Sequence, residues 1–189
     1  MDTTVEQILA RVAERQRTTF YGKYRGIVRD VEDPDGLGRI RAEVPSVLGE
    51  AVSQWATPCL PFAGPGHGML YLPEVGDGVW IEFEAGSLHS PIWSGCWWAD
   101  DQRPEPSGPQ QRLIATSAGH QVLIDEEADE ISLVHPGGAT LVLGKDSVTL
   151  SIGEAKIEMA SGEVKINGTV AKFTAAGASL VDDAFKVGG

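Results

Sequence analysis

The stretch that decides the fold is PEVGDGVWIEFEAGSLHSPIWSGCWW, residues 73–98. After a Gly-Asp-Gly turn, the apolar residues Val79, Ile81 and Phe83 alternate with residues of other character. This period of two is typical of a strand with one buried face. A second turn at Gly86 leads to another short strand over residues 91–97. The pattern therefore predicts a β-hairpin inside a small barrel.

The period of two continues through residues 20–98 on the N-terminal side of this hairpin. Further strands are predicted over residues 21–30, 39–44, 55–60 and 69–72. Asp33-Pro34-Asp35-Gly36 predicts a turn, because proline presets φ and glycine accepts a positive φ. Five or six short strands with glycine and proline corners favour a small oligonucleotide/oligosaccharide-binding (OB) barrel.

Residues 1–19 contain the one predicted helix. Its apolar stripe falls at i, i+3, i+4 and i+7, on Val5, Ile8, Leu9 and Val12. Two interpretations stay open at this point. The helix either covers an open end of the barrel or docks onto a neighbouring subunit.

The barrel is followed by a polar, proline-rich segment, residues 99–112, which we interpret as a linker between domains. Beyond it, residues 113–170 repeat short alternating groups of apolar residues, separated by glycines. If three chains associate, these residues would form the core of the trimer: Ile131, Leu133, Leu141, Leu143, Val148, Leu150, Ile152, Ile157, Met159, Val164 and Ile166.

Such a series of strands has a burial problem in a single chain. A lone meander would leave one apolar face in water and two strand edges unpaired. Three copies wound around one axis would bring the Ile, Leu and Val side chains together inside a prism. The period alone does not distinguish this prism from a sheet that packs on the barrel. Residues 171–189 form a separate tail rich in alanine and glycine.

The composition narrows the range of functions. The chain has 189 residues, with 27 Asp and Glu against 15 Lys and Arg. Binding to nucleic acid requires a clustered basic surface, and none is visible. No apolar run is long enough to span a bilayer, and no signal peptide is expected at the N-terminus.

Several blocks of the sequence, taken in order, resemble the baseplate assembly protein V family, the VgrG-like central spikes of phage tails and contractile injection systems. The resemblance is carried by a DP…GR…VP hairpin, a Trp-Ala-Thr-Pro strand, the closing hairpin and the entry to the repeats. These blocks are residues 26–45, 55–58, 73–84, 91–95, 116–125 and 131–138.

The resemblance implies an all-β homotrimer: an N-terminal helix, an OB barrel, then a triple-stranded β-helix, or β-prism, formed by three chains. It implies a structural, non-enzymatic spike without cofactors, which sheath contraction drives through the target envelope. It also implies a virion or tail-like particle assembled in the bacterial cytoplasm. A target membrane would be touched only mechanically.

The resemblance also implies partners at both ends. A separate hub protein is expected above the barrel, with Val5, Ile8, Leu9 and Val12 as its docking residues. A PAAR-type tip protein or effector is expected below the prism, against Phe173, Leu180 and Phe185. Some phage spikes bind iron through a His-x-His segment at the apex. No histidine follows Val170 here, so no such metal is expected.

The residues also suggest two other functions. Five tryptophans, Trp55, Trp80, Trp93, Trp97 and Trp98, could stack sugars on an OB face, although barrel core and subunit contact is the favoured role. The acidic run over residues 125–130 could supply the paired carboxylates of a hydrolase, although a solvated turn is favoured.

Smaller groups of residues also raise binding hypotheses. Acidic residues near Gly36 do not have the spacing of a calcium loop. His120 and His135 could meet their own copies on a threefold axis, but we expect no metal there. Cys59 and Cys96 lie among apolar neighbours, which predicts two buried thiols rather than a disulfide.

Overall fold

The computed structural model describes the backbone of residues 4–167, 169–174, 177–180 and 185–187, and the side chains of residues 4–16 and 18–167. The chain divides into two compact units, Met1–Gln102 and Arg103–Gly189. The first strand of the second unit begins at Gln111, inside the segment interpreted as a linker.

The first unit contains one long helix, a five-stranded sheet and a small two-stranded sheet. Its elements are α1 (Val5–Thr18), β1 (Tyr24–Asp30), β2 (Arg41–Glu43), α2 (Pro45–Leu48), β3 (Thr57–Pro58), β4 (Ala63–Gly64), β5 (His67–Gly68), β6 (Gly78–Phe83) and β7 (Pro91–Trp97). The main sheet has the order β2-β1-β6-β7-β3, and it curls into a half-barrel. Its neighbours are antiparallel except β3 and β7.

The core of this unit is built on the hairpin that the sequence pattern predicts. Val79, Ile81 and Phe83 of β6 are buried, and Trp93 of β7 is buried beside them. The other members of the core are Val28, Ile40, Ala42, Val44 and Ala56. Gly78 is required where β6 begins, because a Cβ there would lie 2.7 Å from the Trp97 ring. A mostly β chain with an N-terminal helix is therefore confirmed.

Residues 69–72 do not form a strand, so that part of the prediction is wrong. The small hairpin lies earlier, with β4 and β5 joined at residues 65–66. Leu70 lies close to Gly38, and 57% of its surface is exposed. The apolar run therefore stays exposed at the surface and does not enter a β-ladder.

The prediction of two buried thiols is also wrong, because Cys59 and Cys96 are free and exposed. The ladder between β6 and β7 shifts register between Val79 and Ile81. Gly95 adopts φ 95° in the opposing part of β7. Apolar neighbours in the sequence therefore do not ensure that these thiols are buried.

The helix α1 begins at Thr4, whose hydroxyl accepts a hydrogen bond of 3.4 Å from the Gln7 N–H. Its apolar stripe is uncovered. Val5, Ile8, Leu9 and Val12 are 72%, 50%, 62% and 49% exposed. The interpretation of α1 as a cover for the barrel is therefore not supported within the described residues, and a docking role stays a prediction.

The second unit is one antiparallel sheet of ten strands. They are β8 (Gln111–Ala115), β9 (Gln121–Asp125), β10 (Glu130–Val134), β11 (Ala139–Leu143), β12 (Ser147–Ile152), β13 (Ala155–Ala160), β14 (Glu163–Ile166), β15 (Thr169–Thr174), β16 (Gly177–Leu180) and β17 (Phe185–Val187). Each strand pairs with the strands before and after it in the chain, so the sheet is a simple meander. Its backbone ladder is thus formed within one chain.

The turn after β1 is held by Asp33. Its carboxylate accepts backbone hydrogen bonds from Leu37 (2.8 Å) and Arg39 (3.2 Å), and both oxygens accept from Arg39 Nε at 3.1 Å. The guanidinium of Arg39 holds the pKa of Asp33 well below its ordinary value. The same pairing raises the pKa of Arg39. This carboxylate organises the turn, which is a structural role.

We expect Asp33→Asn to lower the melting temperature of the first unit by several degrees at pH 7. Because the folded-state pKa of Asp33 is depressed, its contribution is complete above the unfolded value near 3.8. The contribution is then lost as the pH falls toward the folded-state value. The variant should therefore lose less stability than the parent between neutral and acid pH.

Thermal unfolding followed by tryptophan fluorescence measures this effect in the full chain, since all five tryptophans lie in the first unit. Asp35→Asn is the matched control, because Asp35 also bonds Arg39 but its side chain is 65% exposed. Equal losses in the two variants, or an unchanged acid profile in Asp33→Asn, would contradict this role.

Candidate functional site

The two faces of the ten-stranded sheet differ most in chemical character over β12–β14. Residues directly opposite each other in a ladder lie on the same face. One column of such residues runs across five strands: Ile131, Leu143, Val148, Met159 and Val164. All five are apolar, so one face of the sheet is apolar across these strands.

A second column on the same face is equally apolar: Leu133, Leu141, Leu150, Ile157 and Ile166. Ile152 lies on this face too, opposite Ala139. The structure therefore places all eleven residues predicted for the trimer core on one face.

The same face extends beyond the predicted residues. Ile124 lies opposite Ile131, Val122 opposite Leu133, and Ile114 opposite Val122. We call these three residues and the eleven predicted ones the apolar face. The alternation of Val122 and Ile124 is readable in the sequence. Ile114, in contrast, lies at the end of a polar segment and gives only a weak signal.

The apolar face is uncovered within the described part of the chain. Eleven of its fourteen side chains have exposed fractions between 39% and 59%, and the other three are half-buried. Monomeric soluble proteins rarely expose contiguous apolar patches of this extent. The surface is therefore suited to contact with another protein surface.

The apolar face is also uneven. A depression of about 330 Å³ lies among Leu150, Ile152, Ile157 and Ile166. Another of about 240 Å³ lies among Leu133, Leu141 and Leu150. Depressions of this kind can receive apolar side chains from an opposing surface, as close packing requires.

The opposite face is polar over β12–β14. Thr140 and Ser151 share a hydrogen bond of 2.7 Å between their hydroxyls. Lys156 pairs with Glu158 at 2.6 Å, and it holds the pKa of that carboxyl below its ordinary value. Lys165 also lies 2.7 Å from Glu163. Side chains of this kind are typical of a water-facing surface.

The tryptophans are divided between core and surface. Trp93 is buried and donates to the Gly38 carbonyl (3.2 Å). Trp97 donates to the Val79 carbonyl (3.2 Å), and Arg25 lies over its ring at 4.9 Å from the centroid. Trp98 is 63% exposed. Trp55 and Trp80 are half-buried, each with an arginine over its ring. The rings do not form one exposed stacking platform.

The acidic run lies at the turn between β9 and β10. Asp125 accepts backbone hydrogen bonds from Glu127 and Ala128, both at 3.0 Å, and a side-chain bond of 2.8 Å from Gln111. The Ala128 N–H, followed by Gln111, lowers the pKa of Asp125. A catalytic general acid needs a raised pKa. Asp125 therefore has the features of a residue that caps a turn.

Two of the remaining candidate residues, His120 and His135, are in contact, with ring centroids 4.9 Å apart. Among the residues that the structure describes, no group of three or more His, Cys, Asp or Glu side chains could hold a metal ion. The side chains of Phe173, Leu180 and Phe185, predicted to contact a tip protein, lie outside the described residues. No helix in the described part of the chain is long and apolar enough to cross a membrane.

Comparison with protein families assigns both units. Residues 24–98 match the type VI secretion system/phage-baseplate injector OB domain. Residues 111–172 match the phage baseplate V C-terminal trimerisation domain. The search of curated proteins returned no match. The second domain contains the apolar face, and neither family description names an enzymatic activity. The chain belongs to the phage baseplate V family, and it carries the OB and trimerisation domains of that family in the order that the sequence predicts.

Proposed function

We propose that this protein is the central spike of a contractile phage baseplate or a phage-tail-like injection system. The observation that carries the proposal is the uncovered apolar face, which lies in the part of the chain that matches a trimerisation domain. Three chains would form a prism with the three apolar faces inside and the polar faces outside. The spike acts by its shape and stability and not by catalysis.

The hydrogen-bond pattern favours one form of prism. Because the ladder of the sheet is satisfied within one chain, strands need not exchange partners between chains. We therefore expect each sheet to form one side of the prism, with side chains making the contacts between the chains. Ten strands spaced about 4.8 Å apart would extend the prism by roughly 45 Å.

The energetics favour association. Covering the exposed half of a large aliphatic side chain contributes roughly 1 kcal/mol. Each chain offers eleven such side chains, so the gross gain per chain is on the order of 10 kcal/mol. Association costs from about 4 to 15 kcal/mol in lost freedom of motion. A trimer that covers all three faces at once is therefore expected to be stable.

The partners of the spike follow from this role. We propose a separate hub protein above the OB domain, with the stripe of Val5, Ile8, Leu9 and Val12 on α1 as its docking surface. A PAAR-type tip protein or effector would bind at the far end of the prism, where its last strands carry Phe173, Leu180 and Phe185. The particle would be assembled in the bacterial cytoplasm, and sheath contraction would drive the spike through the target envelope.

The first test is the mass of the protein in solution by light scattering. The full chain of 20.1 kDa is expected to give about 60 kDa, three times its own mass. A chain that ends at Gln102 lacks the apolar face, and we expect it to be a monomer. A monomeric full-length protein would refute the proposed spike.

The second test compares two variants of β12, each of which places a charge on a different face of the sheet. Leu150→Asp would bring three carboxylates into the prism core, and we expect it to abolish the trimer. Ser151→Asp is the matched control. Ser151 lies on the opposite face, across from Lys156, so the trimer should persist. The mass of each variant distinguishes the two results. Dissociation of both variants, or of neither, would contradict an interface on the apolar face.

A third test concerns α1. Deletion of residues 1–18 is expected to leave the trimer mass at three chains, because the helix stripe is not part of the proposed prism. Loss of the trimer on deletion would show that the helices hold the three chains together, and it would overturn the assignment of α1 to hub docking.

A further inference from the structure

The turns of the ten-stranded sheet alternate between its two edges. Successive turns of a meander lie on opposite sides, so residues 116–120, 135–138 and 153–154 share one edge. Residues 126–129, 144–146 and 161–162 share the other. We call the first row of turns the histidine edge and the second row the acidic edge. Both names refer to turns at the ends of the strands and not to the outermost strands of the sheet.

The histidine edge carries two adjoining imidazoles. The rings of His120 and His135 meet edge to face, with centroids 4.9 Å apart and planes at 80°. The Gly137 N–H donates to His135 Nδ1 at 2.9 Å, so in the neutral ring the proton is on Nε2. His135 thus offers a hydrogen-bond donor to an outside acceptor. Glu154 is the acidic residue of this edge.

The acidic edge has the opposite character. Its first turn contains Glu126, Glu127 and Asp129, and Glu130 follows directly. All four are exposed. Arg112 lies 3.4 Å from Glu126, with both side chains 55% exposed, so this pairing is weak. The next turn contributes Lys145 and Asp146.

A groove of about 320 Å³ lies between these two acidic-edge turns. Its walls include the acidic residues Asp125, Glu126, Asp129 and Glu130, together with Lys145. Its floor is continuous with the apolar face, because Ile124, Ile131 and Leu143 also line it. The groove is therefore a lateral extension of the surface proposed to join the chains.

Along the direction in which the strands stack, each turn of one edge lies at a level between two turns of the other edge. The turn at residues 126–129 joins β9 and β10, whose other ends carry His120 and His135. The turn at residues 135–138 joins β10 and β11, so its level falls between the two turns that form the groove. In the same way, the turn that contains Glu154 joins β12 and β13. Its level therefore falls between the turn that contains Lys145 and the turn at residues 161–162. A turn of one edge can therefore enter between two turns of the other.

We propose that, in the trimer, the histidine edge of each chain packs against the acidic edge of the next, with the His135–Gly138 turn in the acidic groove. A rotation about an axis along the stack of strands brings unlike edges together, so each edge meets its complement and never its own copy. His135 then donates to a groove carboxylate, and two glycines keep the entering turn narrow. This inference rests on the proposed trimer.

The test is chemical cross-linking of the full-length protein in a Cys59→Ser/Cys96→Ser background. Pro136→Cys places a thiol on the histidine edge, and Glu127→Cys places one on the acidic edge. We expect the double variant, treated with bismaleimidoethane, to give covalent dimers and trimers on a denaturing gel. Each single variant should remain a single chain, because like edges do not meet.

A double variant with both thiols on the histidine edge, Ala118→Cys/Pro136→Cys, is the matched control, and it should also remain a single chain. The mass of each variant is measured before cross-linking. A monomer at that stage refutes the proposed function. A trimer that does not cross-link through unlike edges, or that cross-links in a single variant, overturns only this arrangement of the edges.

An added negative charge tests the chemistry of the contact. His135→Glu would place a carboxylate against the acidic groove, and we expect the trimer to dissociate in detergent at least about tenfold faster. His89→Glu makes the same change on the first unit and should have no such effect. Adding Glu130→Lys to His135→Glu should restore most of the lifetime. An equal effect of His89→Glu, or no rescue by Glu130→Lys, would overturn the contact.

Discussion

The structure depends on one constraint, which is that a sheet with a complete backbone ladder still has an apolar face to cover. Inside the second unit, each strand already has its neighbours as hydrogen-bond partners. What remains unsatisfied is the side-chain surface of the apolar face, which is about half exposed. Hydrophobic burial drives association, but it is non-directional. The shape of the apolar face and the charges at its edges therefore determine which surface fits it.

The two units meet this constraint in opposite ways. The half-barrel buries Val28, Ile40 and Ile81 completely within its own chain, and Asp33 fixes the turn that returns the chain to the sheet. The second unit instead leaves its large aliphatic residues exposed on one face. In the proposed spike, the second unit would be held together by all three chains, while the OB domain would keep its fold without them.

The period of two in the sequence predicted the faces of the second unit well. Alternate residues of a strand lie on one face, and residues opposite each other in the ladder share that face. Ile131, Leu143 and Met159 could therefore be assigned to one surface before their register was known. Apolar sequence neighbours misled the prediction for Cys59 and Cys96, since both thiols are exposed. The period of two failed for residues 69–72, since an apolar run does not reveal whether a partner strand is available. The edge chemistry was hidden because His120 and His135 are far apart in the sequence and meet only through the meander.

Intrachain pairing has a consequence for assembly. Because every strand pairs with its neighbour in the chain, the sheet consists of local contacts, which form quickly. Each chain can therefore complete its ladder before it meets the others, and the apolar face is exposed during that interval. A net charge of −12 keeps such chains apart unless their surfaces fit. Acidic edges repel one another in like-to-like encounters, whereas a histidine edge offers a donor to the same carboxylates. The charge pattern thus opposes misassembly at the stage when the apolar face is most exposed, and it leaves the cyclic arrangement of unlike edges as the favoured one.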